Sequence, residues 1–158
     1  MNRELVKDLF LSLLIVLSQL LIFNHINLFG TVSTFIYVSL FILYKTTYDK
    51  TYLILFGFIV GLIIDLSLQT YGAHTLASIT VCYLKERIEK YSFGVNSTLP
   101  LAMIRGTQQT NRVTYFFLII FLHSLIYFSL IFFKLEFTLT IFLYTLINSI
   151  VNFIIIWI

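Results

Sequence analysis

Long apolar runs separated by short polar links dominate the chain. The first run covers 9–23 and follows the charged residues Arg3, Glu4, Lys7 and Asp8. The turn formed by Asn24, His25, Ile26 and Asn27 leads through Gly30 into a second run, 28–44. Between Thr51 and Leu84 the only charge is Asp65. As one helix that stretch would be about 50 Å long at ~1.5 Å per residue, too long for a hydrocarbon core of about 30 Å. The polar, glycine-containing turn from Leu68 to Gly72 divides it into 52–68 and 73–84, the latter extended by the charged residues 85–90. A polar loop runs on to Arg112, and two further apolar runs cover 113–133 and 137–158. The pattern predicts an all-α, polytopic integral membrane protein with six transmembrane helices in a single domain, 1–158, and a long cytoplasmic loop, 85–112. No small-residue cleavage site follows the first run, so it reads as a retained helix, not a secretory signal. The runs are continuous, not alternating, which excludes a membrane β-barrel.

Composition agrees. Of 158 residues, 59% are hydrophobic and 11% charged, against roughly half and a quarter in a soluble domain. With a mean hydropathy of +0.99, the chain has too few polar side chains to cover a water-facing surface. Charge then sets the orientation. With both termini cytoplasmic, the inner segments hold Arg3, Lys7, Lys45, Lys50, Lys85, Arg87, Lys90, Arg105 and Arg112, and the outer ones only Lys134. This positive-inside bias supports both the helix count and the orientation, and merging two spans would break it. The basic loop residues Lys85, Arg87, Lys90, Arg105 and Arg112 suit contact with an anionic leaflet or with a cytoplasmic partner. Nucleic acid is not implied, because topology already accounts for the few cations.

Several polar residues lie inside the apolar runs. Gly57, Gly61 and Asp65 recur every four residues and share one helix face. Gly57 and Gly61 form a small-xxx-small motif that lets another helix approach closely. Asp65 has two readings: it binds a proton, a cation or a partner residue, or it caps the turn containing Gly72. His74, just past that turn, could face it. In the last run Thr145, Asn148, Ser149 and Asn152 form one stripe, suited to packing in the bundle or to docking a partner's membrane helix. Ser12 and Gln19 invite the same two readings, and His123 reads as a neutral, hydrogen-bonded residue inside the bundle.

No zinc-protease helix, nucleophile elbow, Walker loop or dinucleotide fingerprint is present. Cys82 and the three histidines lack metal-ligand spacing. The expectation is a protein that is not an enzyme and that carries no cofactor or metal.

The sequence Gly57-Phe-Ile-Val-Gly61-Leu62-Ile-Ile-Asp65-Leu66, followed by Tyr71-Gly72-Ala-His-Thr-Leu76 and a basic helix end, resembles the rod shape-determining MreD family, in versions from the Bacteroidetes group. By motif the resemblance covers about 57–90, and by layout most of the chain. It implies a non-enzymatic inner-membrane scaffold of the cell-elongation machinery. Such a subunit works with the membrane helix of MreC, with the MreB filament, with RodA and with a class B penicillin-binding protein. The family is also similar in fold to the six-helix substrate-binding subunits of energy-coupling-factor vitamin transporters, which gives the alternative of a small-molecule binding subunit. Those subunits commonly carry alanines at four-residue spacing in the first helix, and 9–23 has none.

Overall fold

The computed structural model describes residues 3–28, 32–44, 49–94 and 107–157. Among these residues six α-helices follow one another: α1 (Arg3–Leu21), α2 (Val38–Leu43), α3 (Lys50–Leu68), α4 (Ala73–Phe93), α5 (Gln109–Phe132) and α6 (Thr138–Trp157). Single 3-10 turns, Phe23–His25 and Leu135–Phe137, follow α1 and precede α6. Two short antiparallel strands, β1 (Asn27–Leu28) and β2 (Val32–Ser33), pair Asn27 with Ser33 and Leu28 with Val32. Stretches within Val6–His25, Lys50–Leu68, Gln109–Phe132 and Thr138–Trp157 are long and apolar enough to cross a membrane. The protein is a membrane-embedded helical bundle.

Local chemistry explains the helix ends. At the start of α3 the Asp49 side chain accepts from Thr51 N at 2.7 Å. Thr51 hydrogen bonds hold that carboxyl below its usual range. α4 continues unbroken through the charged residues 85–90, as the extension predicts. The expected loop 85–112 is therefore helical at both its ends, and 95–106, including Arg105, lie outside the described residues.

The second span requires correction. The predicted continuous helix over 28–44 is not formed: β2 gives way to turns, and among the described residues of this span only the six of α2 are helical. Hydrophobicity misled here because this segment faces protein, not lipid. Val32, Thr34, Phe35, Tyr37, Val38, Leu40, Phe41 and Ile42 are all buried. They form a strap through the middle of the bundle, and α3 to α6 pack around it in sequence order. Irregular backbone at membrane depth is tolerated only where protein or a polar cavity covers it. The burial of the strap meets that condition.

Candidate functional site

The α3–α4 hairpin is built on Asp65. At the end of α3, Gln69, Tyr71 and Gly72 take left-handed φ values of 56°, 52° and 92° and reverse the chain. That reversal swings the first turn of α4 back over Asp65, which is 5% exposed. Oδ1 accepts from the Thr70 hydroxyl at 2.5 Å and from His74 N at 3.0 Å. Oδ2 accepts from Thr75 N at 2.8 Å and from the Thr75 hydroxyl at 2.5 Å. The carboxylate thus satisfies backbone donors that a helix start leaves open, and it sits at the favourable end of the helix dipole. Of the two readings of Asp65, the cap describes this geometry. His74 meets Asp65 through its backbone N–H, and its ring points elsewhere.

Below the turn, α4 lies directly on the glycine face of α3. A Cβ on Gly61 would stand 2.5 Å from Thr75 Cα and 2.9 Å from His74 O, and one on Gly57 would stand 2.6 Å from Cys82 Sγ. The small-xxx-small face is therefore covered by the chain's own α4. It is not open to a partner helix.

The two asparagines of the α6 polar stripe are likewise taken up internally, by the strap. Asn148 Oδ1 accepts from Ser33 N at 2.9 Å. Asn152 accepts from Phe35 N at 2.5 Å and donates to Ser33 O at 2.9 Å. From α1, Gln19 donates to Thr34 O at 2.8 Å and accepts from Tyr37 N at 3.2 Å. These amides satisfy strap backbone groups that the two-residue β1–β2 ladder leaves unpaired. Thr145, Asn148, Ser149 and Asn152 are all 0% exposed, as the packing alternative requires. Ser12 donates to Asp8 O within its own helix.

The strap also carries Tyr37, which the sequence reading did not single out. Its hydroxyl lies 2.8 Å from His74 Nδ1 on α4 and 2.6 Å from His123 Nε2 on α5. Phe35 stands edge-on to both imidazoles, with ring centroids at 5.5 and 5.2 Å, and Tyr127 covers His74 at 4.4 Å. All three members of the triad are fully buried. The outer ring nitrogens, His74 Nε2 and His123 Nδ1, have no hydrogen-bond partner, nor do the hydroxyls of Ser124 and Thr145. His123 is thus the buried, hydrogen-bonded residue expected, but its partner is a phenol. Among the described residues no three His, Cys, Asp or Glu side chains converge as a metal site requires.

The basic residues behave in two ways. Arg87 and Lys90 are exposed on α4; Arg87 lies 6.0 Å from the Tyr83 ring, and Lys90 pairs with Glu86 at 2.6 Å. That pairing holds the Glu86 carboxyl below its usual range. Arg112 on α5 lies over the Trp157 ring at 5.4 Å. Lys85, expected at a solvated loop, is instead buried: it pairs with Glu89 at 2.7 Å and donates to Tyr44 O at 2.9 Å, just past α2. Tyr115 adds bonds of 3.3 Å to Glu89 and to Ile42 O. The lower end of the strap is therefore locked to α4 and α5.

No protein-family model matches the chain, and no curated protein or solved structure matches it either.

Proposed function

We propose that the chain is a non-enzymatic scaffold subunit of the MreD kind, holding MreC and MreB to the peptidoglycan-synthesising RodA and penicillin-binding protein of the elongation complex. The observation that carries this reading is the fold of the segment bearing the resemblance. Gly57, Gly61, Asp65 and Gly72 make one rigid α3–α4 hairpin in which each has a structural task. A partner helix such as that of MreC then lies on the apolar faces left exposed, on α1, α3 and α6, where Leu9, Phe10, Leu55, Ile59, Phe142 and Ile150 point outward. The reading has six crossings, with the strap as a composite second one and α4 as the fourth, and both termini in the cytoplasm. Depletion followed by microscopy tests it: rods that round up support the scaffold, and unchanged shape refutes it.

One observation favours a second reading, that of a small-molecule binding subunit resembling energy-coupling-factor transporters. Membrane transporters place their sites where a helix is broken at membrane depth, and here a broken element carries Tyr37 between two buried imidazoles. In that case depletion lowers uptake of a vitamin while cell shape stays normal.

A further inference from the structure

The Tyr37 hydroxyl meets two imidazoles through nitrogens of different type, His74 Nδ1 and His123 Nε2. A phenol carries one proton, and a neutral imidazole has one N–H and one bare nitrogen. With the single phenol proton given to one of these two rings, Tyr37 donates to that ring and accepts from the other. Suppose it donates to His123 Nε2. His123 then carries its proton on Nδ1, and His74 gives its own Nδ1–H to Tyr37, so both rings are protonated on Nδ1. Suppose instead that it donates to His74 Nδ1. Then both rings are protonated on Nε2. The two rings share a tautomer either way, and in each state one outer nitrogen bears a proton while the other is bare. Those outer nitrogens are the two ring atoms left buried and unpartnered. Asp65 does not enter this circuit, since its oxygens already accept four hydrogen bonds from the hairpin turn.

We propose that Tyr37, His74 and His123 form a proton relay at the centre of the bundle, with the two imidazoles held to the same tautomer and switching together. In the first state a proton from water or a neighbouring hydroxyl forms an N–H bond at His74 Nε2. The His74 Nδ1–H bond breaks as a new O–H bond forms at Tyr37, and the original Tyr37 O–H breaks as an N–H forms at His123 Nε2. The proton on His123 Nδ1 then leaves to water or a hydroxyl. One proton has entered and one has left, no charge stays behind, and the triad rests in the second state. Passage in the opposite direction restores the first. Hydroxyls stand on the same helices, Ser78 one turn from His74 and Ser124 beside His123, both buried. Histidine is suited to such traffic because either ring nitrogen can hold the proton. The inference depends on neither reading of the protein's wider role.

The test is nitrogen-15 magnetic resonance of the full chain in lipid nanodiscs, with labelled histidine rings. Only His25 adds to the two signals of interest, and His25→Gln removes it. The relay predicts equal tautomer populations in His74 and His123, shifting together with temperature. Tyr37→Phe removes the bridging proton, and the two populations then diverge. Opposite tautomers in the unsubstituted protein would place the Tyr37 proton elsewhere, for example toward Ser78, and overturn the proposal. So would populations that vary independently, a pair fixed in one tautomer at every temperature, or unchanged coupling in Tyr37→Phe. If that variant fails to fold, the unsubstituted spectrum decides alone.

Discussion

Asp65 and Gly72 show how a single side chain, or the lack of one, sets the α3–α4 turn. Asp65→Asn keeps one carbonyl oxygen but turns an NH2 toward Thr75 N, so part of the cap survives. Asp65→Leu leaves the His74 and Thr75 N–H groups with no acceptor, and each such buried donor costs about 1–3 kcal/mol. Thermal unfolding in detergent should rank the leucine variant well below the asparagine variant. Equal losses would mean that charge, not hydrogen bonding, is what the site needs. Gly72 presents the opposite case, with φ 92° and open space where a Cβ would project. Gly72→Ala meets no steric obstacle and should lose only the left-handed backbone penalty of about 1–2 kcal/mol, read in the same melts. The cap was legible in the sequence because an acid, a glycine turn and two threonines lie within eleven residues, 65–75. Tyr37 was not legible, since one tyrosine among ten says nothing of which imidazoles it will meet.

Among the elements, the two glycines of α3 look alike in sequence and differ in what they touch. Gly57 faces the sulfur of a side chain, whereas Gly61 faces the backbone of Thr75. A Gly57→Ala variant should therefore be destabilised and then largely restored by Cys82→Ala, which removes the obstructing atom. Gly61→Ala should be destabilised by about 1–3 kcal/mol with no side-chain rescue, because the α4 backbone itself must move away. The two unfolding midpoints, with and without Cys82→Ala, check this, and rescue of both variants would contradict the packing described. The spacing of the glycines predicted a close helix contact, but spacing is silent on whose helix arrives. The strap was less legible still. An all-apolar stretch reads the same whether lipid or protein surrounds it, and only the polar stripe from Thr145 to Asn152 hinted that unpaired backbone lay opposite.

At the scale of the whole molecule, one end of the strap hangs from the amides of Gln19, Asn148 and Asn152, and the other is fastened by Lys85 and Tyr115, both of which also bond Glu89. The charge count along the chain placed Lys85 with the solvated cations, since a sum over segments cannot tell a surface lysine from one folded inward. Its burial beside Glu89 leads to a different expectation from that of the exposed Lys90–Glu86 pair. Removing one member of a buried pair leaves an uncompensated charge and costs about 3–5 kcal/mol, whereas exposed pairs contribute about 0–1 kcal/mol. Lys85→Met should therefore collapse the unfolding midpoint, while Lys90→Met should barely move it. Adding Glu89→Leu to Lys85→Met removes the stranded carboxylate and should recover most of the loss. What remains is the lost hydrogen bond from Lys85 to the Tyr44 carbonyl, about 1 kcal/mol. A double-mutant cycle of unfolding free energies measures that recovery directly. If the double variant is as unstable as Lys85→Met alone, then anchoring of the strap, not charge balance, is what Lys85 provides.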